Sequence, residues 1–298
     1  MIKNKPFLLT LLIMDKFIIK KSSLKKSNGV TTKQTSFESR YAITFGEVAI
    51  LHVGGKELGN GIRESGFSTN ELKILAEKLG DLAEYISISD SLPEELRSAN
   101  DAGVLVIRCN KSNTDDSIPV SLDFANRLYD EQKTKVEYDS KYWDNRRGKT
   151  LNKRARKNIV FGKEEIVHSE DYKQSTVKAF SNLPELNKIK ELIPLILGER
   201  AQDLNAEGNF YHQPKSGIGY HGDAERKIVI CLSLGKSSTL RYNWRMPGTS
   251  EHTHKPVSLT VNHGDIYIMS EKATGYDWKK RSKVRVVHGA GYKSYIDK

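Results

Sequence analysis

Residues 217–223 read GIGYHGD and residues 284–289 read VRVVHG, and these two stretches decide the fold. In an extended strand, residues two positions apart point to the same face, so His221 and Asp223 can bind one metal ion together. His288 lies where a closing strand is expected to supply a third ligand. Two histidines and one carboxylate with open coordination positions are typical of non-haem Fe(II) sites. The sequence therefore predicts a metal centre of His221, Asp223 and His288.

A second His-x-Asp, His263-Gly264-Asp265, is the rival for this role. Too few residues separate it from His288 to form the strands between ligands on opposite sheets, whereas several strands fit between Asp223 and His288. Asp265 is therefore interpreted as the turn residue that opens a strand over residues 266–269. His52 and His168 are interpreted as structural residues, and strand alternation places His212 on the face away from the site. His252 and His254 are expected in a polar loop, on the surface or at the rim of the substrate site.

Five short motifs frame the predicted metal ligands. They are Asn-x-Tyr at 209–211, His-x-Asp-x-Glu at 221–225, Ser-Leu-Gly at 233–235, Gly-Asp at 264–265 and His-Gly at 288–289. In the order and spacing of these motifs, residues 205–289 resemble the catalytic core of the AlkB-like family of 2-oxoglutarate- and Fe(II)-dependent dioxygenases. The resemblance covers a little over a quarter of the chain.

This resemblance implies an α+β fold, with a double-stranded β-helix (jelly-roll) core, buttressing helices and an N-terminal α/β extension. It implies Fe(II), O2 and 2-oxoglutarate as the co-substrate, which is split to succinate and CO2 while a substrate C–H bond is hydroxylated. Where that carbon is bound to nitrogen, the hydroxylated product loses formaldehyde and the outcome is demethylation. By resemblance, Asn209 and Tyr211 would help to bind 2-oxoglutarate.

The chain departs from the family at the distal carboxylate of 2-oxoglutarate. The family's usual partner is an arginine on the strand after the distal histidine, because a planar guanidinium matches a carboxylate with two hydrogen bonds. Ten residues follow His288 and none of them is arginine. The candidates that remain are Lys293 or Lys298, as point charges, and Arg241 on the strand after Ser-Leu-Gly.

Composition favours a polyanionic partner. The 298 residues have a net charge of +11 and a pI near 9.4, which suits nucleic acid, DNA or RNA, although a solvated basic surface has the same charge. Cys109 and Cys231 form no disulfide framework and are expected as buried free thiols, which favours an intracellular protein, cytoplasmic or nuclear. The apolar run near the N-terminus is too short to span a bilayer, so no membrane partner is expected. The oligomeric state stays open.

The chain divides into three predicted parts: a disordered leader over 1–40, an N-terminal α/β extension or lid over 41–165, and the dioxygenase core over 166–298. Within the extension, Ser68-Thr-Asn-Glu71 is a capping box that begins a helix. A buried strand is expected over 104–107 and another helix over 122–129. Apolar residues at helical spacing from Leu186 to Ile196 predict a helix that ends at Gly198.

Residues 141–161 read KYWDNRRGKTLNKRARKNIVF. Basic residues interleaved with aromatic ones suit phosphate contact combined with base stacking. A nuclear-import signal or a solvated basic face has the same composition. The candidate contacts to a nucleic-acid substrate in this segment are Arg146, Arg147, Lys153 and Arg154.

Glu225 and Trp244 are two further candidate substrate contacts. Glu225 follows the metal motif closely enough to act beside the ligands, and a solvent-facing turn is the alternative. Trp244 is expected near the mouth of the pocket, where it would stack on a base, and ordinary core packing is the alternative. The sequence thus predicts a dioxygenase that hydroxylates or demethylates a nucleic-acid base. A protein side-chain hydroxylase and a nucleic-acid-binding protein with a non-catalytic oxygenase fold are the alternatives.

Overall fold

The computed structural model describes residues 37–48, 63–109 and 121–297, together with the backbone of two short strands within 52–57. The α-helices are α1 (Thr69–Leu79), α2 (Glu94–Arg97), α3 (Leu122–Lys135), α4 (Pro184–Leu197) and α5 (Lys293–Ile296). The strands are β1 (Arg40–Gly46), β2 (His52–Val53), β3 (Lys56–Glu57), β4 (Ala83–Ser87), β5 (Gly103–Ile107), β6 (Lys141–Asp144), β7 (Lys149–Asn152), β8 (Lys157–Gly162), β9 (Val177–Ala179), β10 (Asn205–Tyr211), β11 (Gly217–His221), β12 (Val229–Gly235), β13 (Ser238–Arg245), β14 (Val257–Val261), β15 (Ile266–Met269) and β16 (Arg285–Gly291).

One large sheet contains eight strands in the order β4–β5–β15–β12–β1–β10–β8–β9. Its neighbouring strands are antiparallel, except for the parallel pair β8 and β9. Strand β1 lies in the middle and alternates in side-chain character, as a strand with two different faces must. Tyr41, Ile43 and Phe45 point into the main hydrophobic core, whereas Arg40, Ala42 and Thr44 line a cavity on the opposite face.

Helices α1, α3 and α4 contribute to the core on the apolar face of β1. Their buried side chains include Leu72 of α1, Leu128 of α3 and Leu186 of α4, all in one cluster with Ile43. The capping box at the start of α1 is present, with reciprocal hydrogen bonds between Ser68 and Glu71. The predicted helices over 122–129 and 186–196 and the buried strand over 104–107 are confirmed as α3, α4 and β5.

A smaller sheet of four antiparallel strands, in the order β11–β16–β13–β14, lies on the other side of the large sheet. Residues of both sheets form a second hydrophobic cluster, in which Val106 and Met269 meet Leu240 and Val286. The protein is therefore a mixed α+β protein built on a large, mostly antiparallel sheet, with helices on one face and a small sheet on the other.

The predicted division of the chain at residue 165 does not separate two layers. Strand β1, from the predicted extension, lies between β10 and β12 of the predicted core, and β5 pairs with β15. The predicted leader extends too far, because β1 begins at Arg40 and the ring of Phe37 packs 4.8 Å from that of Tyr129. The leader before residue 37 lies outside the described residues. Among the helices that are described, none has the length and apolar character to cross a membrane.

Candidate metal centre

His221, Asp223 and His288 converge into one cluster, as the sequence predicts. Their ligand atoms all lie within 4.8 Å of one another. Nε2 of His221 is 3.6 Å from Oδ1 of Asp223, and Nε2 of His288 is 3.8 Å from Oδ2 of the same carboxylate. His288 is nearly buried, with 7% of its side chain exposed, whereas His221 is 30% exposed. One side of the cluster is therefore open to a cavity and the other is held by protein.

Strand pairing explains this convergence. His221 at the end of β11 is the register partner of His288 in β16, so their rings meet with centroids 4.5 Å apart. After β11 the chain turns, and the backbone N–H of Asp223 donates to the carbonyl of Thr274 at 2.9 Å. Gly222 makes that approach possible, since a Cβ there would lie 2.3 Å from the carbonyl oxygen of Gly275.

The protonation states suit metal binding. Nδ1 of His221 lies 2.8 Å from the carbonyl of Gly219, which favours the tautomer with Nδ1–H and leaves Nε2 as the ligand atom. Burial, and then the neighbouring His221, hold the pKa of His288 well below its usual value of 6.5, so its imidazole is neutral. Neutral imidazoles and a carboxylate are the forms that bind a metal ion. These residues fit a divalent transition metal.

A cavity of about 230 Å³ lies between the two sheets, beside the three predicted ligands. Asn209 and Tyr211, which by resemblance hold the co-substrate, are both buried on its wall. Their order on β10 places them on the cavity face and directs His212 to the other face, as alternation predicts. Apolar side chains, among them Leu240 and Val261 of the small sheet, close the opposite wall.

Among the residues that the structure describes, three arginines line this cavity, and none of them is a predicted site residue. Arg226 forms ion pairs with Glu225 at 3.1 Å and Glu207 at 3.4 Å. Nε of Arg156 donates to Oδ1 of Asn209 at 2.5 Å. Arg40 stacks on Tyr211, with Cζ 3.9 Å from the ring centroid.

The sequence prediction does not place Arg40 in the site, because the predicted leader extends to that residue. The alternation of RYAITFG was the signal that could have identified it, since Arg40 shares a face with Ala42 and Thr44.

Arg241, a predicted candidate for the carboxylate of the co-substrate, does not line the cavity beside the predicted metal ligands. Arg241 alternates away from the cavity residue Leu240 along β13, and its guanidinium donates to Ser258 Oγ at 2.8 Å and forms an ion pair with Asp297. It therefore faces the C-terminal helix α5. The other candidate, Lys298, lies outside the described residues.

Of the two further predicted substrate contacts, Glu225 lies at the cavity and Trp244 does not. Glu225 lines the cavity and pairs with Arg226, so it lies beside the predicted metal ligands. Trp244 does not reach the pocket and is 1% exposed, with Nε1 donating to Ser91 Oγ at 3.0 Å. Its indole belongs to the hydrophobic cluster between the sheets, so the alternative of core packing is the one observed.

The basic segment folds into the hairpin β6–β7 followed by β8. A groove of about 540 Å³ lies beside it, with Tyr142, Trp143, Arg146, Lys153 and Arg154 on its wall. Arg147 does not line this groove, and its Nε atom lies 4.0 Å from Oδ2 of Asp144. Arg156 lines both the groove and the cavity beside the metal ligands, so the two spaces adjoin at this side chain.

His263, the rival candidate for a metal ligand, lies outside the cluster of His221, Asp223 and His288 and makes structural contacts. Its Nδ1 accepts a hydrogen bond from the N–H of Gly235 at 2.8 Å, and its Nε2 lies 3.2 Å from Oδ1 of Asn126. Asp265 accepts hydrogen bonds from the backbone N–H groups of Cys109 and Asn262, which fixes the turn before β15. The hydrogen bonds of both side chains therefore stabilise the fold around this turn.

Comparison with known proteins identifies one uncharacterized relative. The chain is 33% identical over 269 residues to uncharacterized protein R156 of Acanthamoeba polyphaga mimivirus, an alignment that covers 88% of this chain and 99% of the viral protein. No protein-family model matches the chain.

Proposed function

We propose that this chain, which belongs to the same family as the mimivirus protein, is an AlkB-like dioxygenase dependent on Fe(II) and 2-oxoglutarate. The observation that carries the proposal is the cluster of His221, Asp223 and His288 on the wall of an internal cavity. Two imidazoles and one carboxylate leave coordination positions open for a co-substrate and O2. The two facing sheets are, on this proposal, the halves of a double-stranded β-helix.

The protein's own residues would bind the metal ion, orient the co-substrate and exclude water from the cavity. His221, Asp223 and His288 would hold the ion on the side of the cavity where β11 and β16 pair. Bound Fe(II) would supply the redox chemistry, in which 2-oxoglutarate, O2 and a substrate C–H bond yield succinate, CO2 and a C–OH group. Asn209 and Tyr211 would orient the co-substrate from β10, and the apolar wall of the small sheet would limit access of water.

The first experiment measures metal binding and turnover together. We expect purified protein to bind one Fe(II) without O2 and to release succinate when 2-oxoglutarate and O2 are added. His288→Ala should abolish both, because a buried ligand is lost. His168→Ala is the matched control, since that histidine stacks on Tyr172 away from the cluster. Unchanged Fe(II) affinity in His288→Ala would contradict the proposal.

We also propose that the substrate is a nucleic-acid base. The groove beside the hairpin β6–β7 combines Arg146, Lys153 and Arg154 with the aromatic rings of Tyr142 and Trp143. Phosphate contacts from basic residues and base stacking on aromatic rings are the two elements of single-strand binding. Since Arg156 borders both spaces, a strand in the groove would have a base within reach of the cavity.

Oligonucleotide binding tests this substrate class. Trp143→Ala should weaken binding of a methylated single strand by roughly 5- to 150-fold, the effect of about 1–3 kcal/mol per stacked base. Tyr292→Ala is the control, because that tyrosine is an exposed aromatic residue outside the groove. Succinate release stimulated by a peptide and not by oligonucleotides would favour a protein hydroxylase instead.

A further inference from the structure

Arg40 is a buried cation with no carboxylate partner among the described residues. Arg40 is 7% exposed, and its Nη2 atom is buried with no hydrogen-bond partner among the described residues. The contact found for its guanidinium is the face of the Tyr211 ring, at 3.9 Å. A buried charge is unfavourable unless an anion is beside it, so this position is suited to an anionic ligand.

Strand register locates Arg40 within the cavity. On β1 and β10 the cavity residues pair as Arg40 with Tyr211, Ala42 with Asn209 and Thr44 with Glu207. Glu207 marks the end of this wall that is near the metal site. Arg226 pairs with both Glu207 and Glu225, and Glu225 is two residues after the proposed ligand Asp223. Arg40 and Tyr211 therefore mark the other end of the same wall, about 13 Å along the strand from Thr44.

The other two arginines of the cavity already have polar partners. Arg226 is balanced by two carboxylates, Glu225 and Glu207. Arg156 donates to Asn209 and lies at the border with the basic groove. Arg40 is thus the cavity arginine that remains available for a ligand's carboxylate.

We infer that Arg40, together with Tyr211, binds the distal carboxylate of 2-oxoglutarate. This inference rests on the proposed function. Arg40 would take the role of the arginine that the family usually has after the distal histidine, since residues 289–298 contain no arginine. The co-substrate would lie along the cavity, with its keto-acid end at the metal ligands and its second carboxylate against a guanidinium from β1. The planar fork of Arg40 offers two parallel hydrogen bonds to that carboxylate.

The test compares two ligands on four proteins. Dissociation constants of 2-oxoglutarate and 2-oxopentanoate, which has a methyl group in place of the distal carboxylate, are measured anaerobically on the Fe(II)-loaded protein. The visible charge-transfer band of the chelate reports binding. Wild type is compared with Arg40→Met, Arg40→Lys and the control Arg241→Met, whose arginine faces α5.

We expect Arg40→Met to bind 2-oxoglutarate roughly 30-fold or more weakly, the effect of about 2 kcal/mol or more from removing one member of a buried charge pair. The constant for 2-oxopentanoate should stay unchanged, and Arg40→Lys should recover part of the affinity. Arg241→Met should behave as wild type. Equal loss for both ligands, or no loss for either, would overturn the assignment of Arg40.

Metal content and thermal unfolding separate this inference from the proposed function. Arg40→Met should retain Fe(II), and without 2-oxoglutarate its melting temperature should equal or exceed that of wild type, because an unpaired buried charge is gone. Addition of 2-oxoglutarate should raise the melting temperature of wild type and not that of the variant. A lower melting temperature without ligand would make Arg40 a structural residue. Wild type that binds neither Fe(II) nor 2-oxoglutarate would overturn both proposals.

Discussion

The predicted metal site depends on Gly222. A Cβ at this position would lie 2.3 Å from the carbonyl oxygen of Gly275 and 2.7 Å from the indole of Trp278. The backbone at Gly275 cannot move away from this Cβ without a cost in free energy. Gly222→Ala should therefore displace His221 and Asp223 and lower the affinity for the metal ion by about tenfold or more. The free energy of unfolding should fall by about 1–3 kcal/mol.

Gly219→Ala is the matched control for this prediction. Gly219 lies in the same strand region, and a Cβ there meets no atom within 4 Å. Metal titration and urea unfolding of the two variants measure the difference. If the two alanines have the same small effect, the close approach of residues 222 and 275 does not position the ligands.

Lys153 gives the proposed substrate groove a dependence on pH. Burial lowers the pKa of its amine from 10.5 to about 8, so the charge is lost at a pH where other lysines keep theirs. Affinity for a single-stranded oligonucleotide should therefore fall as the pH rises from 7 to 9. The fall should be smaller in Lys153→Gln.

Arg154→Gln is the control for the titration of Lys153, because it removes a permanent charge from the same groove. It should lower the affinity by a similar factor at every pH in this range. Fluorescence anisotropy at constant ionic strength measures both series. An identical pH profile in wild type and Lys153→Gln would show that this amine does not contact the strand.

At the scale of elements, helix α4 is capped by a side chain from another helix. Its N-cap residue Leu183 has no capping side chain, and the buried carboxylate of Glu131 in α3 accepts from the N–H groups of Glu185 and Leu186, both at 2.9 Å. Glu131→Ala would leave these buried donors unpaired. Its free energy of unfolding should be lower by about 1–3 kcal/mol.

The exposed Glu191 of α4 provides the comparison, because its carboxylate accepts a hydrogen bond from the Asn187 side chain one turn away. Glu191→Ala should change the free energy of unfolding by less than about 0.5 kcal/mol. Chemical denaturation of both variants measures the two effects. Equal stability of the two alanine variants would mean that Glu131 does not fix the start of α4.

Local elements could be predicted from sequence because their signals are local. The capping box at Ser68, the strand 104–107 and the pairing of His221 with Asp223 depend on residues within a few positions of one another. Arg40 and Trp244 could not be located in this way. Their environments depend on which strands become neighbours, and that pairing joins parts of the chain far apart in sequence.

The whole molecule should unfold as one unit. Strands from 40–107 and 205–269 alternate within the large sheet, so neither segment buries its own faces without the other. Full-length protein should show a single urea transition with coincident circular dichroism and fluorescence curves. A fragment of residues 166–298 lacks β1, β4, β5 and β8 and should show no cooperative transition. Two separate transitions, or a cooperative fragment that binds metal, would contradict this prediction.

The central position of β1 also has a consequence for synthesis of the protein. Thr44 of β1 and Cys231 of β12, which contact each other in the sheet, are 187 positions apart in sequence. At about 5–20 residues per second, β1 leaves the ribosome roughly 10–40 s before this neighbour exists. An apolar strand with unpaired edges is a site for aggregation during that interval. The strand that carries Arg40 is therefore synthesised before the two strands beside it, and it joins the sheet only after they have been made.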